Sequence, residues 1–197
     1  MIISDSHTHH EHRHGAIINW RPGMAIEPDL YYSAGTHPWN AGTRDAIASL
    51  PESPRIVAVG EVGLDKAQGT PLDIQQKELL KWIEISENRE LPLILHIVRA
   101  FPEIIALKKQ LSPKQPWIIH GFRGKPQLAS ELLRHGFYLS IGEKYNPEAV
   151  AVIPRDRLLL ESDEGTGIPL IENADPTLAD KIFLKNLQSG GDGGEEP

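Results

Sequence analysis

The sequence places imidazoles and carboxylates at spacings that suit shared metal ions. His7 and His9 are one residue apart, and in an extended backbone positions i and i+2 project to the same side, about 6–7 Å apart at Cα. Both rings can then reach one cation. Glu61 lies in Val59-Gly60-Glu61-Val62-Gly63-Leu64-Asp65, where flanking glycines permit tight turns beside a carboxylate whose two oxygens could bridge two ions. His96 and His120 would complete a second ion, and Asp163 would close the first. This mixture of four imidazoles and two carboxylates suits two divalent ions, zinc, manganese or magnesium, and the imidazoles favour zinc. None of the 197 residues is cysteine, so thiolate ligands and disulfides are excluded.

Such a pair of ions would select an anion. Two divalent cations contribute +4, Glu61 and Asp163 remove two charges, and about +2 is left in the mouth of the site. Two ions roughly 3.5–4 Å apart lower the pKa of a bridging water and clamp the attacking and leaving oxygens of a phosphoryl centre. Arg99, just past His96, and Arg123 and Lys125, just past His120, are candidate phosphate contacts. His37 precedes a proline at a strand end and is a candidate substrate contact. His10, His12 and His14 read as a solvated loop, His135 as an exposed helix end, and Asp65 as support for the glycine turn or a ligand histidine.

For these residues to meet, the fold must bring distant segments to one edge. Short β-branched, apolar runs occur near Ile2–Asp5, Ala16–Asn19, Tyr31–Gly35, Ile56–Gly60, Leu93–His96, Trp117–His120, Phe137–Ile141 and Arg157–Glu161. Amphipathic or turn-rich segments separate them, the rhythm of β/α units around a parallel sheet. Thr70-Pro71, Pro102, Pro126 and Asn146-Pro147 read as helix starts, and Gly136 as a helix stop. Eight strand candidates predict an α/β fold, a compact, distorted TIM-type (β/α)8 barrel in which the strand C-termini converge on one face. Such barrels use roughly 250 residues, so this chain is short, with a reduced second β/α unit and a reduced C-terminal region. Residues 1–188 are expected to form a single domain, and the glycine- and acid-rich 189–197 a disordered tail.

Composition narrows the partners. The net charge is −7, of which the tail acids Asp192, Glu195 and Glu196 supply three, so a broad basic footprint on duplex DNA is not expected. Met1–Asp5 has neither a basic n-region nor a long apolar stretch, and the expectation is a cytoplasmic protein without a membrane span.

Taken in order, these residues resemble the TatD family of metal-dependent deoxyribonucleases. Asp5-Ser6-His7-Thr8-His9 is similar to its opening motif, Gly35-Thr36-His37-Pro38 to its glycine-x-histidine-proline motif, and Gly60-Glu61-Val62-Gly63-Leu64-Asp65 to its central signature. His96, His120-Gly121-Phe122-Arg123-Gly124 and Glu161-Ser162-Asp163 resemble the later motifs. The resemblance implies a distorted β/α barrel with His7, His9, Glu61, His96, His120 and Asp163 as ligands, and Asp163 also orienting or deprotonating the attacking water. Three departures stand out. Arg99 comes three residues after His96 where the family has arginine two after, Glu164-Gly165-Thr166-Gly167 replaces a small residue and proline, and the C-terminal helices are cut back.

The function expected is hydrolysis of phosphodiester bonds by a metal-bridged hydroxide, with Glu61 and Asp163 catalytic and DNA ends or single-stranded DNA as substrate. Trp20, Trp39, Trp82 and Trp117 read as core or rim packing, though Trp39 could stack on a nucleobase. The competing readings are a PHP-like phosphatase, another amidohydrolase-type hydrolase acting on a carbonyl, and a non-catalytic metal-binding protein. Oligomeric state is not legible.

Overall fold

In the computed structural model, residues 2–188 are described; the expected tail, 189–197, lies outside them. Eight parallel strands pair in chain order: β1 (Asp5–Thr8), β2 (Ala16–Asn19), β3 (Tyr31–Ala34), β4 (Ile56–Asp65), β5 (Leu93–Val98), β6 (Trp117–Ile119), β7 (Tyr138–Ile141) and β8 (Leu158–Leu160). A parallel bridge between Thr8 and Asp163 returns the exit of β8 to β1. Across it the Asp163 N–H donates to the His7 carbonyl and the His9 N–H to the Asp163 carbonyl, both at 3.0 Å. Asp5 adds a second tie, accepting from the Ser162 N–H at 3.0 Å and the Ser162 hydroxyl at 2.7 Å. The sheet is thereby a nearly closed barrel.

Helices cover only part of its outside. They are α1 (Leu72–Asn88), α2 (Phe101–Leu111), α3 (Pro126–Arg134), α4 (Pro147–Val150), α5 (Leu178–Phe183) and α6 (Lys185–Gln188). Pro102, Pro126 and Pro147 sit in the first turns of α2, α3 and α4, where a missing N–H costs nothing. The Asn146 side chain caps α4 by accepting from the Glu148 N–H at 3.0 Å. Thr70 does not cap α1: Pro71 takes that position, and the Thr70 hydroxyl donates to the Trp39 carbonyl instead. Gly136, at φ +73, ends α3 as expected.

The shortening expected of the second unit reaches three units. No α-helix follows β1 or β2, and β3 is followed only by a 3-10 turn, Pro38–Asn40. Loop residues Leu30, Ile47 and Leu50 take the place of helices and join the main apolar cluster beside Ile18 and Tyr32. The first strand also starts later than its hydrophobicity suggests. Ser4 and Asp5 both donate to the Gly15 carbonyl, and regular pairing begins at Asp5 with Ala16. Its buried residues are Asp5, Ser6, His7 and Thr8, so the strand is polar where it is most enclosed.

A smaller cluster explains how the barrel is filled. Ile17, Val57, Ile94, Ile118 and Leu159, from five strands, pack with Leu178, Ile182 and Phe183 of α5. Alternate strand residues face the interior of a closed sheet, so α5 plugs one end while the other stays open. Above these apolar residues the Ser6 and Ser140 hydroxyls meet at 2.7 Å, and Ser6 donates to the Leu160 carbonyl. The interior thus grades from apolar at the plugged end to polar at the open end, where the ligand candidates lie. Among the described residues no helix is long and apolar enough to cross a membrane.

Candidate metal centre

The strand β4 runs five residues beyond Gly60, so Glu61 projects from inside the strand and not from its end. Two glycines make that possible. A Cβ on Gly63, at φ +157, would stand 1.9 Å from the His96 carbonyl oxygen, and one on Gly60, at φ +147, 2.7 Å from Ile94 Cβ. Only glycine lets β5 approach this closely, and the approach brings His96 against Glu61. The Glu61 N–H is held in turn by the Asn19 side-chain oxygen at 3.1 Å, from the end of β2.

Around the Glu61 carboxylate the other five ligand candidates converge. Its Oε1 is 2.7 Å from both His96 Nδ1 and His120 Nε2. Its Oε2 is 3.4 Å from His7 Nε2 and 3.3 Å from His9 Nε2. Asp163 Oδ1 faces the same two rings at 3.9 and 3.6 Å. The donor atoms of His7, Glu61 and His120 lie within 4.8 Å of one another, as do those of His7, His9 and Asp163 and those of His37, Glu61 and His96. Asp163 adopts φ +54, a conformation rare outside glycine, at the residue that both closes the barrel and faces the two histidines.

These donors fit divalent cations. Nitrogen ligands bound tetrahedrally at about 2.0–2.1 Å stand about 3.3 Å apart, and His96 Nδ1 and His120 Nε2 are 3.3 Å apart. Neither ring nitrogen of the fully buried His7 has a hydrogen-bond partner, an arrangement that costs free energy unless another group satisfies it. Burial pushes the pKa of Glu61 up, but the imidazoles of His120, His37 and His7 outweigh it and hold the carboxyl well below its usual range. Burial likewise pushes His120 down, and Glu61 and Glu161 overcome that, raising the imidazole well above its ordinary value. The protein groups alone therefore place positive charge between two buried carboxylates.

An outer ring of polar groups orients the donors. The His96 Nε2 faces Asp65 Oδ2 at 3.3 Å, so Nδ1 turns to Glu61. That same Asp65 oxygen accepts from the Trp39 indole N–H at 2.7 Å, and its backbone is clamped on both sides by Gln75. The fully buried Glu161 accepts from the Gly121 N–H at 2.7 Å and faces His120 Nδ1 at 3.4 Å. His37 Nδ1 accepts from the Trp39 N–H, which leaves the proton on Nε2, 3.4 Å from Glu61 Oε1. Asn19 escaped sequence reasoning, and Glu161 entered it only as part of the Glu161-Ser162-Asp163 motif, with no role of its own. The available signals were a polar residue ending an apolar strand and an acid two residues before Asp163.

The cleft above this carboxylate encloses about 420 Å³ and is lined by His9, His37, Glu61, His96, His120 and Asp163 together with Trp20, Arg21 and Trp39. Arg99, Arg123 and Lys125 are exposed, and none of them lines it. The cation that does is Arg21, paired with Glu11 at 2.7 Å. His10, His12 and His14 are exposed, with contacts to the Gly165 carbonyl, Glu27 and Asp29 respectively.

Comparison with known proteins identifies the family. A family model described as TatD related DNase matches residues 19–169. The uncharacterized metal-dependent hydrolase YabD of Bacillus subtilis is 34% identical over 155 residues, covering 71% of this chain and 61% of that protein. The 3'-5' ssDNA/RNA exonuclease TatD of Escherichia coli is 29% identical over 147 residues, covering 66% and 56%. This chain thus spans about three fifths of the length of these curated relatives. The crystal structure of YJJV, a TatD homolog from Escherichia coli, superposes with a TM-score of 0.59 at 24% identity, over 80% of this chain and 68% of that one. A family match across most of the chain, on a barrel whose open end gathers these histidines and acids, has one conclusion: the chain belongs to the TatD related DNase family.

Proposed function

We propose that this protein is a hydrolase of phosphodiester bonds that uses two divalent ions, zinc by preference, and acts on DNA at single-stranded regions or ends. His7, His9 and Asp163 would hold one ion, His96 and His120 the other, with Glu61 shared between them. The observation that carries the proposal is the Glu61 carboxylate, with both oxygens approached by imidazole nitrogens from separate strands. When bound, the ions would acidify water and neutralise a phosphoryl centre.

The protein's own groups supply the rest. Asp163, a quarter exposed while Glu61 is enclosed, is placed to accept the proton of the attacking water. His37, with its proton on Nε2 and its ring in the cleft wall, is placed to donate to a substrate oxygen. Glu161 and Asp65 hold His120 and His96 in register. Arg99, Arg123 and Lys125 would meet phosphates of the strand outside the cleft. Single-stranded ends fit an acidic chain with a small cleft, because a duplex grip draws on many cations. Absence of cysteine suits a reducing, cytoplasmic setting.

The test is elemental analysis joined to a substrate panel. The expected result is bound metal and metal-dependent release of mononucleotides from single-stranded DNA, lowered by about 10² or more in Glu61→Ala and Asp163→Asn. Turnover of phosphomonoesters alone, or of amides and carboxylic esters alone, would replace the nuclease with another hydrolase. Two bound metals with no turnover would leave a binding protein.

A further inference from the structure

The wall of the cleft carries a large aromatic surface that the metal chemistry does not use. Trp39 is 49% exposed, the only tryptophan among the exposed large hydrophobics, while Trp82 and Trp117 are fully buried. Its exposure is not looseness. The indole N–H is fixed on Asp65 at 2.7 Å, its carbonyl accepts from the Thr70 hydroxyl, and its ring meets His37 edge-on at 4.7 Å between centroids. The ring stands 6.1 Å from that of His96, whose Nδ1 is 2.7 Å from Glu61. A rigid aromatic face is thus presented to the cleft one side chain away from the metal donors.

Charge explains why such a face is useful here. The cleft lining contains one arginine, Arg21, already paired with Glu11, and no lysine, against three rim or wall acids besides Glu61, namely Asp45, Asp163 and Glu164. Apart from the metal centre, little in the cleft holds a phosphate chain. Stacking on an aromatic ring tolerates any base, because every base has a π-face, and a pre-fixed ring loses little freedom when a base lands on it. The geometry points to Trp39 as the platform on which the terminal nucleobase of a single-stranded substrate stacks, setting a preference for base-bearing ends over the bare sugar-phosphate chain. This rests on the phosphodiesterase proposal above and names its substrate determinant.

The experiment compares the full chain, loaded with metal, as wild type, Trp39→Leu and Trp39→Phe. Two single-stranded oligonucleotides are used, one ordinary and one whose terminal residues at both ends are abasic. On the ordinary oligonucleotide Trp39→Leu should raise KM about ten-fold, within the range stacking supports, with a much smaller change in kcat. Trp39→Phe, which keeps a ring but offers Asp65 no N–H, should restore most of the lower KM. On the abasic-ended oligonucleotide wild type should already show the raised KM, and Trp39→Leu should add nothing. An equal loss on both substrates, or a kcat loss shared by Leu and Phe, would mean that Trp39 acts only by holding Asp65 and His96, and overturns the inference. So would an unchanged KM in Trp39→Leu. Failure of wild type to cleave either oligonucleotide would instead overturn the nuclease proposal on which the inference rests.

Discussion

At the scale of single residues, the proposed metal binding sets protons against metal ions. His120 sits between Glu61 and Glu161, and their carboxylates keep its imidazole protonated well above the ordinary histidine range. A metal at His120 must displace that proton, so binding should strengthen as pH rises and weaken as pH falls. The expected outcome is release of about one proton near pH 7 when the ion at His120 binds, and an affinity for that ion that drops about ten-fold per pH unit. Calorimetric titration in buffers of different ionisation enthalpy measures both, and a pH-independent affinity would show that His120 is not displaced. The six donor candidates were legible because metal binding restricts residue type so severely. Asn19, which holds the Glu61 N–H, was not, since many residue types can supply one hydrogen bond. Trp39 was legible as a residue but not in its setting, because it lies in the 3-10 turn after β3 while its partner Asp65 ends β4, 26 residues further on.

At the scale of elements, the contact of β4 with β5 sets the spacing of the donors. Gly63 has no room for a Cβ, which would fall 1.9 Å from the His96 backbone oxygen. Gly63→Ala should therefore cost about 3 kcal/mol or more in folding stability and loosen metal binding together; urea denaturation with a parallel metal titration checks both. A second prediction concerns the packing of α2 on the sheet. The Lys108 ammonium donates to the Gly136 carbonyl and lies 4.4 Å over Phe137 and 5.4 Å over Trp117, yet burial lowers its pKa to about 8. Between about 8 and the unfolded value near 10.5 the folded chain then binds fewer protons, so wild type gains stability with rising pH. Measured against Lys108→Met, that gain should be about 1–2 kcal/mol, discounted for residual solvent contact. Below pH 8 the difference between the two proteins should be flat. Strands β2 to β8 were readable from β-branched runs, and the proline-led helices from their start signals. The first strand was displaced because its enclosed residues are polar, and the missing early helices left no signal beyond short spacing.

At the scale of the whole molecule, closing the barrel and assembling the site are one event. The bridge from Thr8 to Asp163 completes the sheet, and the same backbone contacts set Asp163 opposite His7 and His9. The plugged end built by α5 and the open end lined with histidines gather the candidate donors at one end of the barrel. Economy falls on helices outside β1 to β3, which leaves the donors untouched because they project from strands and their exits. The barrel was legible from eight recurring apolar runs; its seam was not, because it depends on pairing between residues far apart in the chain. If this face works as proposed, protein stripped by a chelator should release no mononucleotides from single-stranded DNA, and adding Zn²⁺ or Mn²⁺ should restore release until it levels off at two equivalents. Release that survives complete stripping, or that never appears at any metal loading, would contradict a two-metal nuclease.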